Sequence, residues 1–374
     1  MAKKVMLGVS GGVDSAVSAY LLKQEGYQVT GAFMRNWDSL ANADIRGNPT
    51  LEDHQCSQEM DYQDAVAVAK KLNIPLLRVD FIKEYWDEVF LVALKEYQLG
   101  KTPNPDVFCN KNIKFKYFFD FAKEHGFDLI AMGHYARKIY RNGQYYLLKA
   151  KDLNKDQSYF LSQISQTQLA RTLFPLGEME KPEVRKIAND LALEAVMNKK
   201  DSTGICFIGE RDFRAFLQNY LPVHKGKIID IDTGMEVGEH EGVVFYTIGQ
   251  RKGLGIGGIA EYQGDHRFFV VKKDLATNTL YVANGENHPR LYSIGVEIDT
   301  LNWISAPPEV GKVYQAKFRY RQPDQIVKVK ELTPDKLVLE FKQPIKAITP
   351  GQAAVLYHGD ICLGGGIIVA GLTE

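Results

Sequence analysis

Val5-Met-Leu-Gly-Val9 followed by Ser10-Gly-Gly-Val-Asp-Ser15 decides how this chain is read. A short apolar run leads into two adjacent glycines, and a helical apolar period, Val13, Val17, Leu21 and Leu22, comes next. Run, glycine turn and period together predict a strand–turn–helix unit. Gly11 and Gly12 let the backbone turn tightly and let an anion approach the amides. The helix, opening near Asp14 and Ser15, directs its free N–H groups and positive dipole end into that turn. A phosphate fits there, with the Ser10 and Ser15 hydroxyls as further donors. Asp14 repels phosphate, so its carboxylate suits Mg²⁺ or a helix cap. The turn has neither the G-x-x-x-x-G-K-[ST] nor the G-x-G-x-x-G pattern.

Outward from this unit, strands and helices alternate. Strands are expected over Tyr27–Met34, Leu76–Phe81 and Phe127–Met132, and helices over Glu59–Leu72, Lys83–Tyr97, Asp156–Arg171 and Pro182–Leu193. Such alternation predicts an α/β fold with a doubly wound parallel sheet. Met34 then falls at a strand's carboxyl end, where open α/β sheets bind ligands. Asn36–Gln55 is polar, carries Gly47 and Pro49, and reads as a long mobile loop. Asn142-Gly143, between alternating apolar residues of Ile139–Lys149, signals a hairpin. Past Phe207 the texture changes. After a last short helix over Arg211–Tyr220, strands from Lys227 onward are short and glycine turns frequent, as in small barrels or sandwiches. The expected division is 1–210, an α/β catalytic domain; 211–280, a small central β-rich domain; and 281–374, a C-terminal β-barrel.

Composition excludes several classes. Lys+Arg and Asp+Glu are both 46 in 374 residues, so a nucleic-acid surface has to be local. One such excess exists. Between Lys312 and Lys346 nine basic residues face four acidic ones, with Tyr320 between Arg319 and Arg321, a pattern suited to phosphate contact and base stacking or to a solvated strand face. Four cysteines are too few for a disulfide scaffold, and without a C-x-x-C pair a zinc ribbon is not expected. There is no signal-peptide h-region and no apolar run of about 18 residues, so a cytoplasmic protein without a membrane span is expected.

Two cysteines stand in chemically suggestive loops. Thr102-Pro-Asn-Pro-Asp-Val-Phe-Cys109-Asn-Lys-Asn112 is stiffened by two prolines, and a helix is expected from about Ile113. A cysteine at such an N-terminus, near Lys111 and Lys114, is expected to have a lowered pKa, with Asp106 placed to move a proton. Asp201-Ser-Thr-Gly-Ile-Cys206-Phe-Ile-Gly209 has glycines around a cysteine and no helical period. Either cysteine alone could be a buried small hydrophobe. Two of them in a nucleotide-binding domain invite thiol or persulfide chemistry. Cys56, in a polar loop, and Cys362, in an apolar strand, read as bland.

Ser10–Ser15 resembles the PP-loop, S-G-G-x-D-S, of ATP pyrophosphatases that adenylate a substrate. Taken with Asn104-Pro-Asp-Val-Phe-Cys-Asn110, Gly133-His-Tyr135, Lys155-Asp-Gln-Ser-Tyr-Phe160, Ser202-Thr-Gly-Ile-Cys-Phe207, Gly249-Gln-Arg-Lys-Gly-Leu-Gly255 and Arg319-Tyr-Arg-Gln322, the whole chain resembles the tRNA-specific 2-thiouridylases (MnmA/TrmU). The resemblance implies a PP-loop domain, a central β domain and a C-terminal β-barrel. It implies ATP-dependent 2-thiolation of the wobble uridine (U34) of tRNAs for Lys, Glu and Gln, by adenylation of the C2 oxygen. Carried over residue by residue, it places ATP, with Mg²⁺, on Gly8, Val9, Ser10, Gly11, Gly12, Val13, Asp14, Ser15, Met34 and Gly133. It places the target base against Asn104, Pro105 and Asp106, and tRNA against His134, Lys155, Asp156, Gln157, Arg319, Tyr320 and Gln352. Cys206 would take sulfur as a persulfide from a cysteine desulfurase or relay protein, and Cys109 would form a transient disulfide with it. No resident metal is implied. Two other readings use the same loop: another adenylating enzyme acting on tRNA, such as a lysidine synthetase, and an RNA-binding module with structural ATP.

Overall fold

A computed structural model of the chain describes residues 2–46, 48, 57–200, 206, 208, 211–256 and 267–373. The opening strand–turn–helix is β1 (Lys4–Val9) running into helix α1 (Val13–Gln24). β2 (Gln28–Arg35), β3 (Leu76–Asp80) and β4 (Leu129–Ala131) follow, then a hairpin of β5 (Arg137–Arg141) and β6 (Gln144–Leu148), then β7 (Thr172–Leu173). Five of these strands form a parallel sheet in the order β3-β2-β1-β4-β7. The strand order turns back between β1 and β4, which opens a crevice at their carboxyl ends.

Alternation along β1 divides the core. Val5, Leu7 and Val9 pack with Val17 and Leu22 of α1 and with Val184 of the helix Lys181–Asp190. Met6, on the opposite pleat, joins Met34, Ile113 and Phe118 on the other face. Both faces are covered by helices, as a parallel sheet requires. Helix α2 (Ser57–Leu72) contributes Ala65 and Val68 to the first face.

The remaining strands form two sheets. β8 (Gly226–Asp230), β9 (Glu236–His240), β10 (Phe268–Asp274) and β11 (Thr279–Asn284) make a four-stranded sheet in the order β10-β11-β8-β9. β12 (Tyr292–Trp303), β13 (Val313–Lys317), β14 (Gln325–Leu332), β15 (Leu337–Lys346), β16 (Ala353–His358) and β17 (Ile361–Leu372) close on themselves through the β12–β17 pairing. Closure removes the open edges of this six-stranded barrel. The β5–β6 hairpin, turned by Asn142 and Gly143 at positive φ, adds to the barrel through Cys362 opposite Leu147. It is thus part of the barrel's sheet and not of the parallel one.

Three local expectations are corrected. The described part of Asn36–Gln55 is packed: Trp37 is 1% exposed among Tyr85, Phe90 and Phe216, and Asp44 is fully buried. One large aromatic outweighs the polar residues around it, because its burial anchors the whole turn. The helix expected over Asp156–Arg171 is a 3₁₀ turn, Ser158–Leu161, and a short helix, Gln166–Ala170. Ser165 interrupts it by forming a capping box with Gln168. The helix expected from Ile113 begins eight residues earlier, at Pro105, because Asn104 caps it by accepting from the Asp106 amide. Cys56 lies outside the described residues, as does the Ser202–Phe207 motif apart from Cys206. Among the described residues no helix is long and apolar enough to cross a membrane.

Candidate active site

The Ser10–Ser15 loop sits at the β1/β4 crevice. Gly12 stands at the N-cap of α1 with no side-chain cap, so the first amides of the helix keep free donors toward the loop. Asp14 does not cap; its carboxylate accepts from Lys181 Nζ at 2.7 and 2.8 Å and from the Tyr135 hydroxyl at 2.8 Å. Ser15 Oγ donates to the Gly12 carbonyl at 3.1 Å and accepts from the Ser10 amide at 3.2 Å, which pins the turn. Gly11 has φ +69°, and a Cβ there would lie 2.1 Å from the Asp61 carbonyl oxygen. Lys199 holds the loop from behind, donating to the Gly11 carbonyl at 3.0 Å and to Asp61 and Asp64 at 2.6 Å each. Val9 and Val13 are buried beneath the loop. Gly8 is covered by Met34 and Met132, and Gly133 closes on α1, where an added Cβ would stand 3.2 Å from the Ser15 amide nitrogen. The expected nucleotide residues therefore share one crevice.

A thiol pair lies beside it. Cys109 Sγ donates to Cys206 Sγ across 3.6 Å, and both are free thiols. Cys109 is the fifth residue of the helix that Asn104 caps, at the start of a π-helical stretch, Cys109–Tyr117. Asp106 Oδ1 accepts from the Cys206 amide at 3.1 Å, and the Tyr85 hydroxyl donates to the Cys206 carbonyl at 2.7 Å. The loop cysteine is thus held by its backbone from both sides.

The electrostatics of the pair reverse one expectation. Burial, with the neighbouring Cys206, pushes the Cys109 thiol well above the ordinary cysteine value. Cys109 was expected to be the acidic one; its place inside a buried helix instead of at an exposed N-terminus disfavours its thiolate. The hydrogen bond from Cys109, and then Lys114, lowers the Cys206 thiol despite burial. Burial raises the Asp106 carboxyl, offset in part by the Cys206 amide and Lys114. Burial works against the Lys114 ammonium, but Cys206, Cys109 and Asp106 more than compensate and raise it.

His134 links the two halves. It follows Gly133 directly, is 7% exposed, and its Nε2 lies 3.4 Å from Lys114 Nζ. An ammonium can only donate, so Nε2 accepts and Nδ1 carries the proton. That Nδ1 is buried with no partner in the protein. Burial and then Lys114 hold His134 far below the usual histidine value, in its neutral form.

Comparison with known proteins decides the family. The model described as "tRNA methyl transferase HUP domain" matches residues 3–210, the "tRNA methyl transferase PRC-barrel domain" 214–284 and the "Aminomethyltransferase beta-barrel domain" 293–368. The tRNA-specific 2-thiouridylase MnmA of Mycoplasma capricolum subsp. capricolum is 52% identical over 98% of this chain and 99% of its own. The chain belongs to the tRNA-specific 2-thiouridylase family. The MnmA proteins of Shigella dysenteriae and Escherichia coli K12 are 53% and 52% identical, each over 98% of this chain and 97% of theirs.

In this 2-thiouridylase-family chain the barrel residues picked from sequence brace the site. Arg319 Nη2 donates to the carbonyls of Ile248 and Ala347 and to Thr349 Oγ1, at 2.9, 3.1 and 2.8 Å. Gln352 Nε2 donates to the Thr102 carbonyl at 2.7 Å, and the Thr102 amide to the Pro350 carbonyl at 2.8 Å. The barrel thereby sets the loop that leads into Asn104, Pro105 and Asp106. Tyr320 packs its ring 4.3 Å from that of Phe160. Asp156 is 4% exposed and accepts from the amides of Ala150 and Ser158, while Gln157 Oε1 accepts from the Tyr135 amide beside His134. Lys155 is half-buried at the same turn. Lys181, Lys199 and Tyr85 escaped the sequence reading, and Tyr135 was quoted within Gly133-His-Tyr135 without a role. Their roles depend on partners distant in sequence, and only the fold brings them in.

Proposed function

We propose that this chain 2-thiolates the wobble uridine (U34) of tRNAs for Lys, Glu and Gln, consuming ATP and a persulfide sulfur. The observation that supports it most is the adjacency of the Ser10–Ser15 loop and the thiol pair, joined through Gly133, His134 and Lys114. The matched domain descriptions speak of methyl transfer and the full-length relatives of thiolation; two free thiols 3.6 Å apart favour thiolation.

A uridine carbonyl is a poor electrophile. The C2 oxygen attacks the α-phosphorus of ATP, and pyrophosphate leaves from the amides at the start of α1. Ser10, Gly11, Gly12, Val13, Asp14 and Ser15 hold the phosphates, and Gly8, Val9, Met34 and Gly133 form the adjoining wall. Mg²⁺ neutralises phosphate charge when bound; Asp14 is the carboxylate of the loop that could meet it, in exchange for Lys181. The target base, out of the anticodon stack, lies against Asn104, Pro105 and Asp106. Asp106, with its raised pKa, moves the proton. Cys206, loaded as a persulfide by a cysteine desulfurase or relay protein, attacks C2 with its terminal sulfur and displaces AMP. Cys109, deprotonated, then attacks Cys206 Sγ. A Cys109–Cys206 disulfide forms, the bond to the transferred sulfur breaks, and an external dithiol reduces the disulfide for the next turnover. His134 offers its Nδ1 proton to tRNA, and Lys155, Gln157 and Tyr320 line the approach; Asp156, Arg319 and Gln352 support it from within.

The test follows the oxygen. With tRNA carrying ¹⁸O at the wobble C2 carbonyl, the label is expected in the AMP released. Unlabelled AMP, with label kept in the tRNA, would overturn adenylation at that atom.

A further inference from the structure

Ser10–Ser15 carries no lysine or arginine, so within the loop only the dipole of α1 opposes phosphate charge. That dipole is worth about half an elementary charge. When the bond between the α-phosphorus and its bridging oxygen breaks, the electron pair leaves with that oxygen, and the charge on the departing pyrophosphate grows. A cation brought to the loop from elsewhere in the chain would stabilise that charge.

Among the described residues, two lysines reach the loop from distant segments. Lys199 lies behind it, bound to the Gly11 carbonyl, Asp61 and Asp64. Lys181 reaches the first turn of α1 instead, its Nζ 2.7 and 2.8 Å from the two carboxylate oxygens of Asp14. It is the first residue of the helix Lys181–Asp190, and its own amide donates to Asp152 Oδ2 at 3.1 Å. A lysine in a first turn opposes the dipole of its own helix, and a buried one is rare. This side chain is nonetheless only 9% exposed, with its Nζ 5.7 Å from the centre of the Tyr135 ring. A pair that merely welded two helices would serve at any level of α1. This pair stands at the turn whose free amides face phosphate. The Tyr135 hydroxyl also donates to Asp14 Oδ1 at 2.8 Å, so Asp14 keeps a partner when Lys181 turns away.

We propose that Lys181 is the phosphate-binding cation of this site. It leaves Asp14 for the β- and γ-phosphates of ATP and stays on the departing pyrophosphate, protonated throughout. This rests on the ATP reading of the loop, and its test separates the two.

The test is calorimetric titration of the full chain with pyrophosphate, ATP and AMP, in EDTA so that no divalent ion bridges the phosphates. The native chain is expected to bind all three. Asp14→Asn removes a like charge and releases Lys181, and is expected to tighten pyrophosphate binding about tenfold. Adding Lys181→Met to Asp14→Asn is expected to weaken pyrophosphate and ATP binding by about tenfold to 100-fold, the range of a hydrogen bond to a charged group. AMP, which lacks the β- and γ-phosphates, should bind both variants nearly alike. Far-UV circular dichroism separates these changes from unfolding, and Lys181→Arg, which keeps the charge, should retain most of the pyrophosphate affinity. A lysine that only neutralises Asp14 makes no difference once Asp14 is replaced. Equal pyrophosphate affinity of Asp14→Asn with and without Lys181→Met therefore overturns the proposal, as does an equal loss for AMP. A native chain that binds neither pyrophosphate nor ATP overturns the ATP reading and the proposal together.

Discussion

The sulfur atoms of Cys109 and Cys206 stand 3.6 Å apart and unbonded, although 97 residues separate them. The pair is held by the Asn104 cap on one side and by Asp106 and Tyr85 on the Cys206 backbone on the other. A disulfide therefore needs a shift of ångströms and no unfolding.

Mild oxidation tests this. Diamide is expected to link Cys109 to Cys206 in preference to Cys362, which is buried on β17 opposite Leu147 of β6 with its thiol pushed up to about 12 by burial. Non-reducing peptide mapping identifies the bond. Cys109→Ser should abolish it.

Asp106 gives a pH-dependent prediction. Burial raises its folded value above the ordinary 3.8, so its contribution to stability is full below that value and is lost as pH rises through the folded value. Asp106→Asn removes that loss while keeping an oxygen for the Cys206 amide. The variant is expected to melt at or above the native temperature near pH 7, with the difference vanishing below about pH 4. Thiouridine formation should nonetheless fall by about 100-fold or more, the usual cost of losing a general acid–base.

Gly11 should not tolerate a side chain. At φ +69°, with a backbone oxygen 2.1 Å from the built Cβ, Gly11→Ala combines strain with a clash that no rotamer relieves. A loss of about 1–3 kcal/mol in urea unfolding, and loss of ATP binding by calorimetry, are expected. Gly26, at φ +83° in open space, is the control: Gly26→Ala carries the strain alone, about 1–2 kcal/mol, and keeps ATP binding.

Arg211 and Asp44 form a buried ion pair at 2.9 Å, their side chains 3% and 0% exposed, with Trp37 Nε1 on the same carboxylate at 3.1 Å. Arg211→Ala leaves that charge buried and is expected to cost about 3–5 kcal/mol by urea unfolding. Arg211 follows the Cys206 motif closely, so cysteine reactivity should change as well.

How much of this was legible in the sequence varied with the range of the interaction. The strand–glycine–helix of residues 5–22 and the Asn142-Gly143 hairpin are local, set by apolar period and turn chemistry, and folded as read. Trp37 reversed the reading of its loop because burial of one ring depends on Tyr85, Phe90 and Phe216, which lie far along the chain. Ser165 broke an expected helix by a capping box, a signal present in the sequence but overridden by the apolar period. The two cysteine motifs were recognisable, but which thiol is the more acidic was not. That depends on the hydrogen bond Cys109 gives Cys206 and on how deeply each thiol is buried, both set by contacts 97 residues apart.

The central claim is sulfur transfer to tRNA through Cys206. Its most direct test is anaerobic incubation of the protein with unmodified tRNA, ATP, Mg²⁺ and a persulfide donor, followed by measurement of 2-thiouridine in the digested tRNA. The native chain is expected to form 2-thiouridine, and Cys206→Ser none. Thiouridine formed equally by Cys206→Ser would contradict the account.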